Sequence, residues 1–237
     1  MTKEEVCKMI DHTLLAATAT KAQILKLCAE AAERSFASVC VNPVWVSLAA
    51  KQLEGKTPAV CTVIGFPLGA EKSKVKALAA KEAVLDGAGE IDMVINIGAA
   101  KEGRFDLVQE DIAAVVQSVK EAAAQKGKKA LVKVIVETCY LTDQEIEGAC
   151  LSAKKAGADF VKTSTGFGTP KDSSGNPLPN GAQVRHVQLM RKTVGRDMGV
   201  KASGGIRDAA SARALIEAGA NRLGCSAGIA IADGWSA

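Results

Sequence analysis

The chain has 237 residues, which matches the roughly 250 residues typical of one (β/α)8 barrel, so we expect a single domain spanning 1–237. Hydrophobic residues make up 48% and charged residues 24%, a balance that excludes a disordered chain. The formal charge is +4, and Lys and Arg are interspersed among Asp and Glu, which excludes the basic tracts of a nucleic-acid-binding protein.

The N-terminus carries Glu4 and Glu5 without the apolar segment of a signal peptide, and no run reaches the roughly 18 apolar residues that span a bilayer. We therefore expect a cytoplasmic protein without a membrane partner. The seven cysteines lack C-x-x-C spacing and lie in apolar segments, which predicts reduced thiols in the core. Because aromatic residues make up only 3%, we expect Val, Ile, Leu and Ala to fill the barrel interior.

Eight short runs rich in Val and Ile alternate with longer stretches whose apolar residues have helical spacing, which is typical of βα units and a parallel sheet. The predicted strands lie at 10–14, 38–41, 59–64, 90–96, 131–137, 160–163, 199–202 and 222–225. Predicted helices between them include 21–33, 72–86, 106–126, 142–156 and 209–217. The order of these elements favours an α/β fold of the (β/α)8 or TIM-barrel type.

Three predicted helices end on a similar tripeptide just before a strand, with a central Gly at Gly87, Gly157 and Gly219. Glycine supplies the left-handed residue that stops a helix, so each tripeptide marks an αβ junction. An open doubly wound sheet is the alternative fold, but no G-x-G-x-x-G follows the first strand. The polar stretch 170–181, rich in turn formers, predicts a loop on the catalytic face after the sixth strand.

Active sites of such barrels form at the carboxyl ends of the strands, where this sequence places two lysines on neighbouring strands. Lys162 lies near the end of the sixth predicted strand, and Lys201 lies in the seventh. Each lysine taken alone is explained by a structural ion pair, but two ammonium groups in one cavity repel each other. Repulsion and desolvation lower the pKa of at least one of the two, which favours a neutral amine that attacks a carbonyl.

Asp92 is a carboxylate inside the otherwise apolar run 90–96, and its burial requires a partner. We predict proton transfer for Asp92, and a structural salt bridge to Lys133 or Lys201 is the alternative. Glu137 is either a second carboxylate of the cavity or a cap of the helix that begins near Thr142.

Glycine and serine residues follow strands six, seven and eight, where barrels commonly bind phosphate. Gly166, the pair Gly204 and Gly205, and Ser226 allow backbone N–H groups to approach an anion. The two histidines, His12 and His186, lack ligand spacing, so we expect no metal and assign His12 a packed or hydrogen-bonded role. Cys225 lies near the phosphate loop without a neighbouring histidine, and we interpret it as packing.

These segments together resemble the 2-deoxyribose-5-phosphate aldolase family of class I aldolases over almost the whole chain. The resemblance rests on IDHTL at 10–14, VCVNP at 39–43, GFPLG at 65–69, EIDMV at 90–94, FVKTSTG at 160–166 and VKASGGIR at 200–207. Two departures are the longer connection at 170–181 and Cys225 in place of a more usual Thr or Ala. The longer loop puts substrate access and specificity in doubt.

The resemblance implies reversible cleavage of 2-deoxy-D-ribose 5-phosphate to glyceraldehyde 3-phosphate and acetaldehyde, with neither a metal nor an organic cofactor. It implies that Lys162 forms the Schiff base, that Lys201 and Asp92 move protons, and that Asp11 supports the lysines. Gly166, Gly204, Gly205 and Ser226 are expected around the phosphate. The partners are then sugar phosphate and aldehyde substrates, and a homodimer is left open. The alternatives are a sugar-phosphate isomerase or epimerase of the same fold and a non-catalytic sugar-phosphate binder.

Overall fold

Eight parallel strands form a closed barrel in the computed structural model, which describes residues 1–236, so the predicted fold is confirmed. The strands follow one another around the barrel in chain order, and β1 pairs with both β2 and β8. They are β1 Ile10–Leu14, β2 Ser38–Val41, β3 Ala59–Ile64, β4 Glu90–Val94, β5 Leu131–Ile135, β6 Phe160–Lys162, β7 Gly199–Ser203 and β8 Arg222–Cys225.

Helices cover the outside of this barrel and connect successive strands. They are α1 Lys3–Cys7, α2 Lys21–Arg34, α3 Val46–Gln52, α4 Ser73–Leu85, α5 Ile97–Lys101, α6 Phe105–Gln125, α7 Asp143–Lys155, α8 Val184–Val194, α9 Ala209–Glu217 and α10 Gly228–Asp233. Thr20 and Thr142 close capping boxes at the starts of α2 and α7, which satisfy N–H groups that a helix start leaves free. None of the helices in the described chain is both long and apolar enough for a membrane span.

Two strands end two residues earlier than their apolar runs predicted, and each has a local reason. The run 90–96 leaves the sheet after Val94 because Asn96 caps α5, its side-chain oxygen accepting the Ala99 N–H at 3.1 Å. The run 131–137 leaves the sheet after Ile135, and Glu137 adopts left-handed backbone angles that a strand does not allow. The apolar runs alone therefore overestimate the lengths of both strands.

The recurring glycine tripeptides mark the ends of α4, α7 and α9, as predicted. Gly87, Gly157 and Gly219 have φ values of 116°, 78° and 112°. After α4, the N–H of Ala88 donates back to the Ala83 carbonyl at 2.9 Å, which closes the helix end. The glycines thus turn the chain from helix into strand at three equivalent places around the barrel.

The two faces of the strands differ sharply in polarity. Residues at one set of alternate positions, such as Ile91, Val134 and Val200, belong to the large apolar core between the strands and the helices. The other set points into the barrel and carries charged and thiol side chains at its middle, namely Asp11, Cys61, Asp92, Lys133, Lys162 and Lys201. The expectation that aliphatic residues fill the barrel interior is therefore wrong for its middle, since those residues lie mainly outside the strands.

Candidate active site

Three buried groups meet at the carboxyl side of β4, β6 and β7. Lys162 and Lys201 are paired in register across β6 and β7, which brings both side chains to the same height in the barrel. Asp92 Oδ2 lies 2.8 Å from Lys162 Nζ and 2.7 Å from Lys201 Nζ. The structure therefore brings together the three residues that the sequence singled out for catalysis, with one carboxylate oxygen between two amines.

A second set of charges lies next to Asp92, deeper in the barrel. Lys133 Nζ lies 2.8 Å from Asp92 Oδ1 and 2.6 Å from Glu90 Oε2. Arg222 lies 2.6 Å from Asp11 Oδ1 and 3.1 Å from Glu90 Oε2. We call Asp11, Glu90, Asp92, Lys133, Lys162, Lys201 and Arg222 the charge cluster.

Asp11 belongs to this cluster rather than to the cavity wall. Its side chain is fully buried, forms an ion pair with Lys201 through Oδ2, and accepts the Ser38 hydroxyl at 2.7 Å through Oδ1. A carboxylate held in this way fixes the Lys201 ammonium from below, which matches the supporting position expected for Asp11.

Two carboxylates of the cluster, Asp11 and Asp92, are stabilised in their ionised form. Burial disfavours the charge of Asp92, but the ammonium groups of Lys133, Lys162 and Lys201 outweigh burial and hold its pKa well below 3.8. Burial likewise opposes ionisation of Asp11, yet Lys201, Lys133 and Arg222 hold its pKa below 3.8. Both side chains are therefore anions at neutral pH.

Lys201 and Lys133 are stabilised as cations. Burial alone would lower the pKa of Lys201, but Asp11 and Asp92 outweigh it and raise the pKa above 10.5. The pKa of Lys133 is raised in the same direction, because Asp92 leads the negative groups that outweigh its burial. Lys201 is thus a cation at neutral pH.

A cavity of about 340 Å³ opens over this cluster. Of the seven residues of the charge cluster, Lys162 alone lines it. The cavity is lined by Thr13, Leu14, Leu15, Ala16, Lys162, Thr165, Phe167, Ser203, Gly204, Gly205, Ile206, Arg207, Gly224, Cys225 and Ser226. Lys162 makes one ion pair, to Asp92, whereas Lys201 makes two, to Asp11 and Asp92. The amine that reaches the cavity is therefore the less strongly held of the two.

One end of the cavity is suited to an anion. Gly204, Gly205 and Ser226 line it, together with the exposed Arg207. Within residues 1–236, the backbone N–H groups of Gly204, Gly205 and Ile206 donate to no other protein group. Free N–H groups on a glycine turn beside a guanidinium form a concave anion site.

Gly166 lies behind this end and does not line the cavity. Its Cα is 3.3 Å from the point where a Cβ on Gly204 would sit, and Gly181 approaches the same point to 2.9 Å. Glycines at these positions let three backbone segments pack closely. Gly166 thus supports the Gly204 turn rather than facing the cavity.

Glu137 and Thr165 form a buried pair that the sequence did not reveal. Thr142, not Glu137, caps α7. The Glu137 carboxylate instead accepts both the hydroxyl and the N–H of Thr165, which lines the cavity close to Lys162. A local sequence pattern could not have indicated this contact, because 28 residues separate the two partners.

The remaining candidates have structural contacts. His12 Nε2 lies 2.9 Å from Glu30 Oε2, and its ring packs against Phe36, which agrees with a packed, hydrogen-bonded role. Cys225 lines the cavity, but burial raises the pKa of its thiol to about 12, so the thiolate is not populated at neutral pH. All seven cysteines are free thiols, and six of them are buried, Cys139 being the partly exposed one.

Two groups of buried donors have the spacing of a metal site, one with Cys40, Cys61 and Asp92 and one with Asp11, Cys61 and Glu90. Their carboxylates already accept from lysine and arginine side chains of the charge cluster. Cations in these positions repel a metal ion, so the donor set does not suit one. The expectation of chemistry without a metal stays a prediction.

A larger cleft of about 540 Å³ lies at the opposite end of the barrel, where β3, β4 and β5 begin. Its charged lining includes the exposed Lys51, Lys126 and Lys128 and the exposed Glu54. Because the charge cluster lies under the smaller cavity at the carboxyl ends of the strands, we assign the chemistry to that cavity.

Comparison with known proteins identifies the family of the chain. The model of the DeoC/LacD family of aldolases matches residues 5–233. A deoxyribose-phosphate aldolase of Geobacillus sp. (strain WCH70) is 56% identical over 99% of this chain and 98% of its own, and one of Streptococcus gordonii is 58% identical over 97% and 96%.

Solved structures show the same relationship. The tetrameric deoxyribose phosphate aldolase from Aeropyrum pernix superposes with a TM-score of 0.85 at 30% identity, covering 98% of this chain and 91% of that one. The structure of an aldolase named QR15 gives a TM-score of 0.84 at 41% identity, covering 96% and 94%. These matches confirm the resemblance noted in the sequence, and the chain belongs to the DeoC/LacD family of aldolases.

Proposed function

We propose that the chain reversibly cleaves 2-deoxy-D-ribose 5-phosphate to D-glyceraldehyde 3-phosphate and acetaldehyde through a Schiff base on Lys162. The family and the names of the relatives support the substrate. The observation that carries the mechanism is the charge cluster, in which one of four cations lines the cavity while three carboxylates lie beneath it.

The cluster contains one cation more than it has carboxylates, namely Lys133, Lys162, Lys201 and Arg222 against Asp11, Glu90 and Asp92. Loss of one proton therefore leaves a buried network without net charge, which is the less costly state in a low dielectric. Lys162 is the cluster cation that meets the cavity, so we assign that loss to Lys162. The neutral amine is then the nucleophile.

The neutral amine attacks the C1 aldehyde of the open-chain sugar, and loss of water gives an iminium ion. The iminium accepts the electron pair of the C2–C3 bond as that bond breaks, while the C3 hydroxyl loses its proton and becomes the aldehyde of glyceraldehyde 3-phosphate. The enamine left on Lys162 takes a proton at C2, and water then releases acetaldehyde and restores the amine. Each step needs a proton moved near Lys162.

Asp92 and Lys201 supply that proton transfer in the proposal. Asp92 Oδ2 contacts both amines at 2.8 Å and 2.7 Å, so a proton has a path from Lys162 through the carboxylate to Lys201. Asp11 keeps Lys201 in place, and Gly204, Gly205 and Ser226 bind the phosphate, with Gly166 supporting the turn. No cofactor is needed for this sequence of steps.

The partners of the chain in this proposal are the sugar phosphate and the two aldehydes, with no nucleic acid and no membrane. Seven free thiols suit a reducing compartment, which supports the cytoplasm. The homodimer stays an untested prediction. The relative from Aeropyrum pernix is a tetramer.

Borohydride trapping tests the covalent step. Reduction in the presence of acetaldehyde is expected to add a two-carbon group to Lys162, located by peptide mass mapping, and Lys162→Ala is expected to lose both the adduct and turnover. Lys192→Ala, which removes an exposed lysine of α8, serves as the control and should keep both. An isomerase or epimerase would turn over sugar phosphate without an adduct, and a non-catalytic binder would release no glyceraldehyde 3-phosphate in a coupled assay.

A further inference from the structure

Glu137 occupies an unusual backbone position at the carboxyl end of β5. Its φ and ψ values are 59° and 64°, in the left-handed region that residues other than glycine rarely adopt. Its side chain is nearly inaccessible, with a relative exposure of 1%. A strained conformation and a buried carboxylate are both costly, and such costs persist where the surrounding structure holds them in place.

The closest contacts of this carboxylate are with Thr165, which follows the end of β6. Both Glu137 oxygens lie 3.2 Å from the Thr165 N–H, and Oε2 also accepts the Thr165 hydroxyl. The Cys139 thiol is a weaker donor at 3.7 Å. The left-handed turn thus aims the Glu137 side chain at the segment that follows Lys162.

Thr165 links Glu137 to the wall of the cavity. Its hydroxyl oxygen accepts the Phe167 N–H at 3.0 Å, and both residues line the cavity with Lys162. Because the hydroxyl proton is donated to Glu137, the oxygen keeps a single free lone pair, which can accept but cannot donate. That side of the cavity can therefore accept from a hydroxyl donor but cannot donate to a phosphate oxygen through Thr165, which is consistent with phosphate binding at the glycine turn.

We propose that Glu137 is a positioning residue of the aldolase reaction, which acts through Thr165 to fix the cavity wall from Thr165 to Phe167 beside Lys162. The proposal rests on the proposed function, because the reaction that depends on this wall is the cleavage of the sugar phosphate.

A pH effect follows from the same contacts. Burial raises the pKa of Glu137 above 4.5, although the bonds from Thr165 and Cys139 and the charge of Lys162 act in the opposite direction. Cys139 stays a neutral thiol, since burial and the nearby Glu137 raise its pKa to about 12. A neutral carboxyl is a weaker acceptor than a carboxylate, so protonation of Glu137 loosens both Thr165 bonds, and catalytic efficiency should fall on the acidic side while Glu137 gains a proton.

A double-mutant cycle tests this proposal. Glu137→Gln keeps the shape of the side chain but turns one acceptor into a donor, and Thr165→Val removes the hydroxyl. Each single variant is expected to lose roughly 10-fold to 100-fold in kcat/KM, the loss typical of a small misplacement near the reacting atoms. If Glu137 acts through Thr165, the double variant should be no slower than the slower single variant.

Thr165→Ser and Glu102→Gln are the controls. The serine keeps the hydroxyl and should restore most of the activity, and Glu102 is exposed, so its change should leave kcat/KM as in the wild type. Thr165→Val leaves the Glu137 backbone untouched and should remove the part of the acidic limb of the pH profile that Glu137 causes. This variant decides the matter even when Glu137→Gln does not fold.

Losses that multiply in the double variant, a Glu137→Gln enzyme within about twofold of wild type, or an unchanged acidic limb in Thr165→Val would each overturn the positioning role. These outcomes are ratios to the wild type. Failure of the proposed function is a separate result, because it appears as a wild-type protein that does not cleave 2-deoxyribose 5-phosphate.

Discussion

Asp92 contacts three ammonium groups, and this arrangement explains why a carboxylate and three lysines are tolerated in a nearly inaccessible interior. Its Oδ1 accepts from Lys133, and its Oδ2 accepts from both Lys162 and Lys201. Ion pairs buried in this way contribute little net stability when complete, but they become costly when one partner is removed. Asp92 is thus both the structural centre of the lysines and, in the proposed mechanism, their proton carrier.

Asp92→Asn is expected to reduce kcat by at least about 100-fold, because the amide cannot carry a proton between the two amines. The free energy of unfolding should also drop, by about 3–5 kcal/mol, since three ammonium groups lose their shared anion. Steady-state kinetics and urea unfolding measure the two effects. Asp106→Asn, which alters an exposed ion pair with Arg104, should change neither beyond about 1 kcal/mol. A fully active Asp92→Asn enzyme would contradict the proposed relay.

The sequence was most informative about single polar residues inside apolar runs. Lys162, Lys201 and Asp92 stand out because a charged residue in a strand demands a reason, and the structure brings them into contact. Glu90 and Arg222 start their strands, where a charge is ordinary, so their inclusion in the charge cluster was not visible. The contact between Arg222 and Glu90 forms only when β8 pairs with β1 and closes the barrel, and no local sequence pattern indicates that pairing.

At the scale of elements, the loop 170–181 is held by glycine contacts against the Gly204 turn, which forms the proposed phosphate end of the cavity. Gly181 has a φ of 89°, and a Cβ placed there would lie 2.7 Å from the carbonyl carbon of Gly204. Gly175, in the same loop, has a φ of 84° and no atom within 4 Å of such a Cβ. Both positions thus have left-handed backbone angles that would strain any residue other than glycine, but only Gly181 is crowded by neighbouring atoms.

Gly175→Ala is expected to cost about 1 kcal/mol through backbone strain alone and to leave KM unchanged. Gly181→Ala should cost more and raise KM for the sugar phosphate, because the new methyl group displaces the Gly204 turn. Thermal unfolding and steady-state kinetics on the matched pair separate strain from crowding. Equal KM values in both variants would show that the loop does not shape the phosphate end.

The contact between α4 and α6 contains a buried ion pair that has no part in the site. Lys76 lies 2.6 Å from Asp111 Oδ2, donates to the Val94 carbonyl at 2.9 Å, and is fully buried. Lys76→Met should lower the free energy of unfolding by about 3–5 kcal/mol by leaving Asp111 unpaired. Adding Asp111→Leu should recover most of that loss. Urea unfolding measures both, and a double variant as unstable as the single would contradict this account.

Helices and strands were predictable to different degrees. The β-branched strands and the helices with capping boxes lie close to their predicted places, as with α2 and α7. The helix α8 was not among the predicted helices, because it follows the polar stretch 170–181 and Gln183 provides no side-chain cap. Its apolar residues do have helical spacing, and Val187, Met190 and Val194 are buried in the core outside the strands.

At the scale of the whole molecule, the charge cluster determines how stability depends on pH. The pKa values of Asp11 and Asp92 are lowered from 3.8, so their contribution is complete above the unfolded value and is lost as the pH falls through the lowered folded values. The pKa values of Lys133 and Lys201 are raised from 10.5. The stability that these two lysines contribute is therefore complete below pH 10.5 and is lost as the pH rises through their raised folded values.

The free energy of unfolding should therefore be nearly constant across the neutral range and fall at both extremes, at a slope of about 1.4 kcal/mol per pH unit for each titrating group. Urea unfolding from about pH 3 to about pH 11 measures this curve. Asp92→Asn should flatten the acidic side relative to the wild type. An acidic side of equal steepness in the two proteins would show that Asp92 does not contribute to it.

The pairing of β1 with β8 has a consequence for how the chain folds during its synthesis. Asp11 in β1 accepts from Arg222 in β8 at 2.6 Å, across a sequence separation of 211 residues. A polypeptide that emerges from the ribosome in order exposes Asp11 early and receives Arg222 only with its last strand. Until then this carboxylate must stay hydrated, and the incomplete sheet stays open to water. Emergence of β8 is thus the event that allows the ring of strands to shut and its interior charges to leave the solvent.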